Sequence, residues 1–113
     1  MGLNKNTLGV IGLAKRAGKL VQGAESVVDM IRAGKAKLVI LACDPSDNTK
    51  KLIRDKAGFY SVRIEESDIG MAELGKAIGK KSAAAVAITD VNFVNAYDSS
   101  LLSGDAATKE RGV

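Results

Sequence analysis

The chain predicts an α/β fold with helices on both faces of a small mixed sheet. Three observations carry this expectation. Helix-like and strand-like segments alternate along the chain. Two short stretches within 37–42 and 84–89 are almost continuously apolar, as strands covered on both sides should be. Gly18, Gly34 and Gly79 stand where helical spacing stops, and glycine is the usual residue just past a helix end.

The elements follow in order. Over 4–17, Val10, Leu13, Ala14 and Ala17 recur at helical spacing, and Gly18 ends the segment. Lys19, Leu20 and Val21 form a very short strand. Over 24–33 the spacing returns in Ala24, Val27, Val28 and Ile31, and Gly34 closes it. A strand over 37–42 follows. Pro45 pushes Asp44 out of helical geometry, so 44–46 is a loop. Ser46 or Asp47 caps a helix over 48–57. Val62, Arg63 and Ile64 make a short strand. Ser67 caps a helix carrying Met71, Leu74, Gly75 and Ile78 on one side. After the strand over 84–89, Asp90 caps a last helix through Phe93, Val94, Tyr97 and Leu101. The 113 residues then divide into one domain, 1–102, and a polar flexible tail, 103–113.

Composition narrows the chemistry. The chain has no histidine and only Cys43 as cysteine, which excludes an internal disulfide, a cysteine metal cage and histidine acid–base catalysis. Neither a signal peptide nor a membrane span is expected, since the N-terminus lacks a long apolar run. The expected compartment is therefore the cytoplasm. A net charge of +4 is consistent with a polyanionic partner without requiring one.

Three features resemble catalytic motifs and fail on inspection. The stretch from Gly70 to Ala77 nearly spells a phosphate-binding loop, yet Ala77 stands where a hydroxyl must hold magnesium. Met71, Ala72, Glu73 and Leu74 between its glycines are also strong helix formers, so Gly75 reads as a close-packing residue. Glu65, Glu66 and Asp68 read as a solvated loop, and Cys43 as a small buried apolar residue. No catalytic residue, metal or cofactor is expected.

Two other segments suit RNA. Gly23, Ala24, Glu25 and Ser26 open a helix, where unpaired amides and the positive dipole end favour phosphate or a base edge. Gly23 leaves room for close approach, and Glu25 can accept from base amino groups. The competing reading is that Glu25 and Ser26 merely satisfy the first helical turn. Gly79, Lys80, Lys81 and Ser82 form a basic loop before the last strand; its ordinary role is a soluble turn. With no tryptophan, two phenylalanines and two tyrosines, an aromatic stacking platform is not expected, and recognition of a structured RNA by shape fits better.

From Leu8 to about Leu101 the chain resembles the L-seven-Ae family of ribosomal and kink-turn RNA-binding proteins, particularly its small bacterial YlxQ-type branch. The residues carrying the resemblance are Gly23 and its turn, the run from Ala33 to Val39 with Ala42 and Asp44, and the run from Leu74 to Gly79 before Val86, Ala87 and Ile88. The resemblance implies a three-layer α/β/α sandwich with a four-stranded mixed sheet, and RNA binding without catalysis. The partners it implies are rRNA or another kink-turn RNA and the ribosome, bound by a monomer. By position it places RNA contacts at Gly23, Ala24, Glu25 and Ser26 and at Gly79, Lys80, Lys81 and Ser82. Apart from the resemblance, Lys37 is expected at the RNA site, and Lys19 and Lys50 with it could compensate for the departures that follow. Family members read Gly-x-Asn-Glu-x-x-Lys at the first surface. Here Glu25 and Ser26 replace the asparagine and glutamate, and Asp29 reverses the lysine charge. A protein-interaction module on the same fold is the alternative function.

Overall fold

The computed structural model describes residues 3–109, with side chains described as far as Leu101. Helix α1 (Lys5–Arg16) leads to β1 (Leu20–Gln22), α2 (Ala24–Arg32) to β2 (Leu38–Leu41), and α3 (Asp47–Phe59) to β3 (Ile64–Glu66). Helix α4 (Met71–Ala77), β4 (Ala85–Ile88) and α5 (Val91–Lys109) complete the chain. The four strands lie in the order β1-β4-β2-β3. β2 pairs with β3 in parallel, while β4 runs antiparallel to both β1 and β2.

Strand alternation divides the core into two layers. Leu38, Ile40, Val86 and Ile88 face α1, α4 and α5, meeting Ile11, Leu74, Val94 and Tyr97. Val39, Leu41, Ala85 and Ala87 face α2 and α3, meeting Val27, Ile31, Ile53 and Ala57. Both faces of β2 and β4 are thus buried, which explains their unbroken apolar character. The expected α/β/α sandwich with its small mixed sheet is the observed fold.

Several local expectations change. The buried stripe of α1 is Thr7, Ile11 and Ala14, not the stripe through Leu13 and Ala17; Leu13 is 54% exposed. Thr7 can lie inside because its hydroxyl donates to Asn4 Oδ1 at 3.1 Å and accepts from Ser100 at 2.9 Å. β3 begins two residues later than the expected strand, at Ile64. Ser67 does not cap α4; its hydroxyl donates to the Leu41 carbonyl at 2.8 Å and ties β3 to β2. The cap of α4 comes from a distant loop instead, with Asp44 Oδ1 accepting from the Met71 amide at 2.7 Å. No helix end marks the expected boundary at 103: α5 continues to Lys109, and the last four residues lie outside those described.

Helices α1 to α4 end in the same hydrogen-bond pattern, two residues past the cap bonding back to the last turn. In α1, α2 and α4 the left-handed position is glycine, but in α3 it is Ser61 at φ 57°. A side chain there costs backbone energy that glycine avoids. Ser61→Gly should therefore raise stability by about 0.5–1 kcal/mol, measured by chemical denaturation. A loss of stability would show that Ser61 is not strained.

Candidate functional site

β1, β2 and β3 run in the same direction, so their C-terminal ends meet at one pole of the sheet. That is the usual place for a binding site in an open α/β sheet. Helix α2 starts there. Its first residue position is set by Gly23, at φ 95° and ψ 147°, a conformation open almost only to glycine. The Gly23 amide donates to the Ala85 carbonyl at 2.9 Å, and its carbonyl accepts from Val27 at 2.9 Å. No side chain caps this helix. By contrast α1 is capped by Asn4 and α3 by Ser46, while Asp44 serves α4 and Asp90 accepts from Asn92 beside α5. The amides of Ala24, Glu25 and Ser26 have no acceptor within the helix by its geometry. Nothing lies within 4 Å of where a Gly23 side chain would begin, and Glu25 and Ser26 are exposed.

The basic loop reaches the same pole for different reasons. Helix α4 ends with Gly79 at φ 76°, its amide bonding Lys76 and the Lys80 amide bonding Gly75 at 2.9 Å. The chain then doubles back across Gly75 so closely that a β-carbon there would lie 2.4 Å from the Ser82 α-carbon. The Ala83 amide donates to the Met71 carbonyl at 3.0 Å, and the Ala84 carbonyl accepts from Ala42 at 2.9 Å. Gly79, Lys80, Lys81 and Ser82 are all exposed. Neither lysine enters an ion pair among the described residues. The bond from Gly23 to Ala85 ties the start of α2 to the first residue of β4, the strand into which the lysine loop leads, so both segments lie at the same pole.

Lys37 is not part of this arrangement. Its amide bonds the Ile88 carbonyl at 2.8 Å, which places it at the opposite pole. Lys19 is there too, with Thr89 bonding its carbonyl and its ammonium 4.0 Å from Asp90. Lys50 does belong to the pole where α2 starts, and its ammonium donates to the Cys43 carbonyl at 3.2 Å. Cys43 itself is exposed rather than buried.

The acidic residues are mostly engaged. Arg54 grips Glu66 through two bonds at 2.9 and 2.7 Å and holds its carboxyl below the ordinary glutamate range. Glu65 lies 3.6 Å from Arg63, so Glu65 and Glu66 pair with different arginines rather than gathering as a site. Asp29 approaches Arg32 at 3.9 Å on the exposed side of α2. With Glu25, Val28 and Leu52 they line a hollow of about 360 Å³ between α2 and α3. No group of three metal-ligating side chains occurs among the described residues. Nor is any described helix long and apolar enough to cross a membrane. The stretch that imitates a phosphate-binding loop is helical from Met71 to Ala77.

Comparison with known proteins agrees with this architecture. The chain is 43% identical over 86 residues to RNA-binding protein YlxQ of Bacillus subtilis, covering 76% of this chain and 85% of that protein. It is 30% identical over 99 residues to the large ribosomal subunit protein eL30 of Yarrowia lipolytica, covering 84% of each. The solved structure of a Bacillus halodurans protein of unknown function superposes with a TM-score of 0.78 at 33% identity, over 86% of this chain and 97% of that one. A family model matches residues 5–97, and the chain belongs to the ribosomal protein L7Ae/L30e/S12e/Gadd45 family.

Proposed function

We propose that the protein binds structured RNA without catalysing a reaction, as a cytoplasmic monomer of the ribosome or translation apparatus. The RNA it suits is kink-turn-like. The observation that carries this reading is the Gly23–Ala85 bond, which ties the uncapped start of α2 to the strand end that the lysine loop enters. The name of the Bacillus subtilis relative and the ribosomal relatives support it.

In this reading each group has a role. The amides of Ala24, Glu25 and Ser26 donate to a phosphate or a guanine edge, helped by the helix dipole. Gly23 keeps the approach clear. Glu25 accepts from an exposed base amino group, and the Ser26 hydroxyl can donate or accept. Lys80 and Lys81 neutralise phosphates and position the RNA, with Lys50 adding charge nearby. Such a division predicts that Glu25 governs discrimination more than total affinity. Glu25→Ala should lower the preference for kink-turn RNA over plain duplex about tenfold, within the 1–3 kcal/mol typical of a base-edge contact. Titration of both RNAs checks this, and an unchanged preference contradicts it.

A protein-interaction role has one observation in its favour. The groove between α1 and α5, about 660 Å³, is lined by Val10, Leu13 and Ala96 with Lys5 and Arg16 at its margins. If the variants of the α2 pole leave RNA binding intact, this groove becomes the surface to test.

A further inference from the structure

We propose that the pole opposite the start of α2 is a second nucleic-acid contact, which takes an unpaired RNA strand. Helices α1, α2 and α3 all end at this pole, and basic residues in their last turns have an ordinary explanation. Arg16, Arg32 and Lys56 offset the negative ends of the helix dipoles. That explanation does not reach Lys35 and Lys37, which lie beyond α2 in the approach to β2 and are exposed. Nor does it reach Phe59 and Tyr60, which are 79% and 42% exposed. The two rings meet edge to face, 4.9 Å apart at 77°, so the pair holds its own geometry while leaving ring surface open.

Backbone bonds place these groups together. Val62 bonds back to Ala57 at 2.8 Å, and the Val39 amide donates to the Arg63 carbonyl at 2.9 Å. The approach to β2 and the turn from α3 into β3 therefore lie at one pole, with Ala36, Ala57 and Val62 packed in one apolar cluster. The nearby carboxylates are already engaged. Arg63 grips Asp98 through bonds at 3.0 and 2.8 Å and lies 3.6 Å from Glu65, and Arg32 approaches Asp29 at 3.9 Å. Lys35, Lys37 and Lys56 have no ion-pair partner among the described residues. The surface thus offers positive charge beside open aromatic rings. A single-stranded nucleic acid uses both, phosphates on the lysines and bases on the rings. A duplex keeps its bases stacked away from the rings, and an acidic peptide leaves them uncovered. Aromatics are scarce in the sequence, but two of the four stand together at the surface.

This proposal does not rest on the α2 site, which lies level with the other end of β2, about 13 Å away along the strand direction. The test is titration of a dye-labelled twelve-nucleotide oligouridylate at several salt concentrations, with kink-turn RNA in parallel. Phe59→Ala should weaken oligouridylate binding about tenfold, as the loss of one stacked base would. The double variant Lys35→Ala/Lys37→Ala should lower the salt slope by about 1.4 for a single strand. Kink-turn affinity should stay nearly constant in both. All these side chains are exposed, so circular dichroism should confirm unchanged folding. Wild-type affinity for oligouridylate in both variants, or no binding by the parent protein at low salt, overturns the proposal. So does loss of that binding in Lys80→Ala/Lys81→Ala instead, which assigns the strand to the α2 pole. Failure of the α2 reading is separate: it shows as kink-turn affinity insensitive to changes at Gly23 and Lys80.

Discussion

Gly75→Ala should destabilise the protein by about 2 kcal/mol and weaken RNA binding with it. Two effects oppose each other. Alanine is the better helix former by about 1 kcal/mol, which alone would stabilise α4. Against this, the new β-carbon would lie 2.4, 2.5 and 2.7 Å from the α-carbon, amide nitrogen and carbonyl carbon of Ser82. These are backbone atoms, so no rotamer change relieves the overlap. Overpacking of a buried contact costs about 3 kcal/mol at the upper end of its usual range, and it outweighs propensity. The loop can yield only by moving away from α4, which displaces Lys80 and Lys81. Chemical denaturation measures the first effect and RNA titration the second. A gain in stability would mean that propensity wins and the close crossing at Ser82 is absent.

Gly23→Ala should reduce affinity for kink-turn RNA about tenfold or more, the scale of one or two lost contacts of 1–3 kcal/mol each. No protein atom obstructs a side chain at this position, so the internal effect is conformational. At φ 95° and ψ 147° a residue with a β-carbon is strained, at a cost of roughly 1–3 kcal/mol. A bulkier residue such as valine would block the RNA sterically as well. The dihedral angles show that any substitution there also strains the turn into α2. The smaller alanine is therefore the cleaner variant, and binding must be read at a temperature where circular dichroism shows it folded. Full affinity in the folded alanine variant would remove the start of α2 from the RNA site.

The fold was legible where the signal is local. The apolar runs of β2 and β4, the spacing of Val27, Val28 and Ile31 and the helix-closing glycines all lie in short windows of sequence. What failed depended on distant partners. Thr7 is buried because Ser100 meets its hydroxyl, ninety-three residues away. Ser67 looked like a cap because it precedes a helix, yet Asp44 reaches that helix from another loop. Lys37 and Lys80 both precede an apolar strand, so they looked alike in sequence. β2 and β4 run antiparallel, and the residues before them necessarily fall at opposite ends of the sheet. Conversely, Gly23 and Ala85 are far apart in sequence but joined directly by the pairing of β1 with β4. The lysine loop and the helix start could be named from the sequence as separate pieces, and only the sheet register shows that they share one pole.

The most direct test of the RNA-binding account is the salt dependence of kink-turn RNA affinity in the parent protein and in Lys80→Ala/Lys81→Ala. Both side chains are exposed and form no ion pair among the described residues, so their removal should leave folding stability nearly unchanged. If each neutralises one phosphate, the slope of log affinity against log salt should become shallower by about 1.8, with weaker binding at low salt. A double variant with the parent slope and the parent affinity would contradict the account and leave the basic loop as a soluble turn.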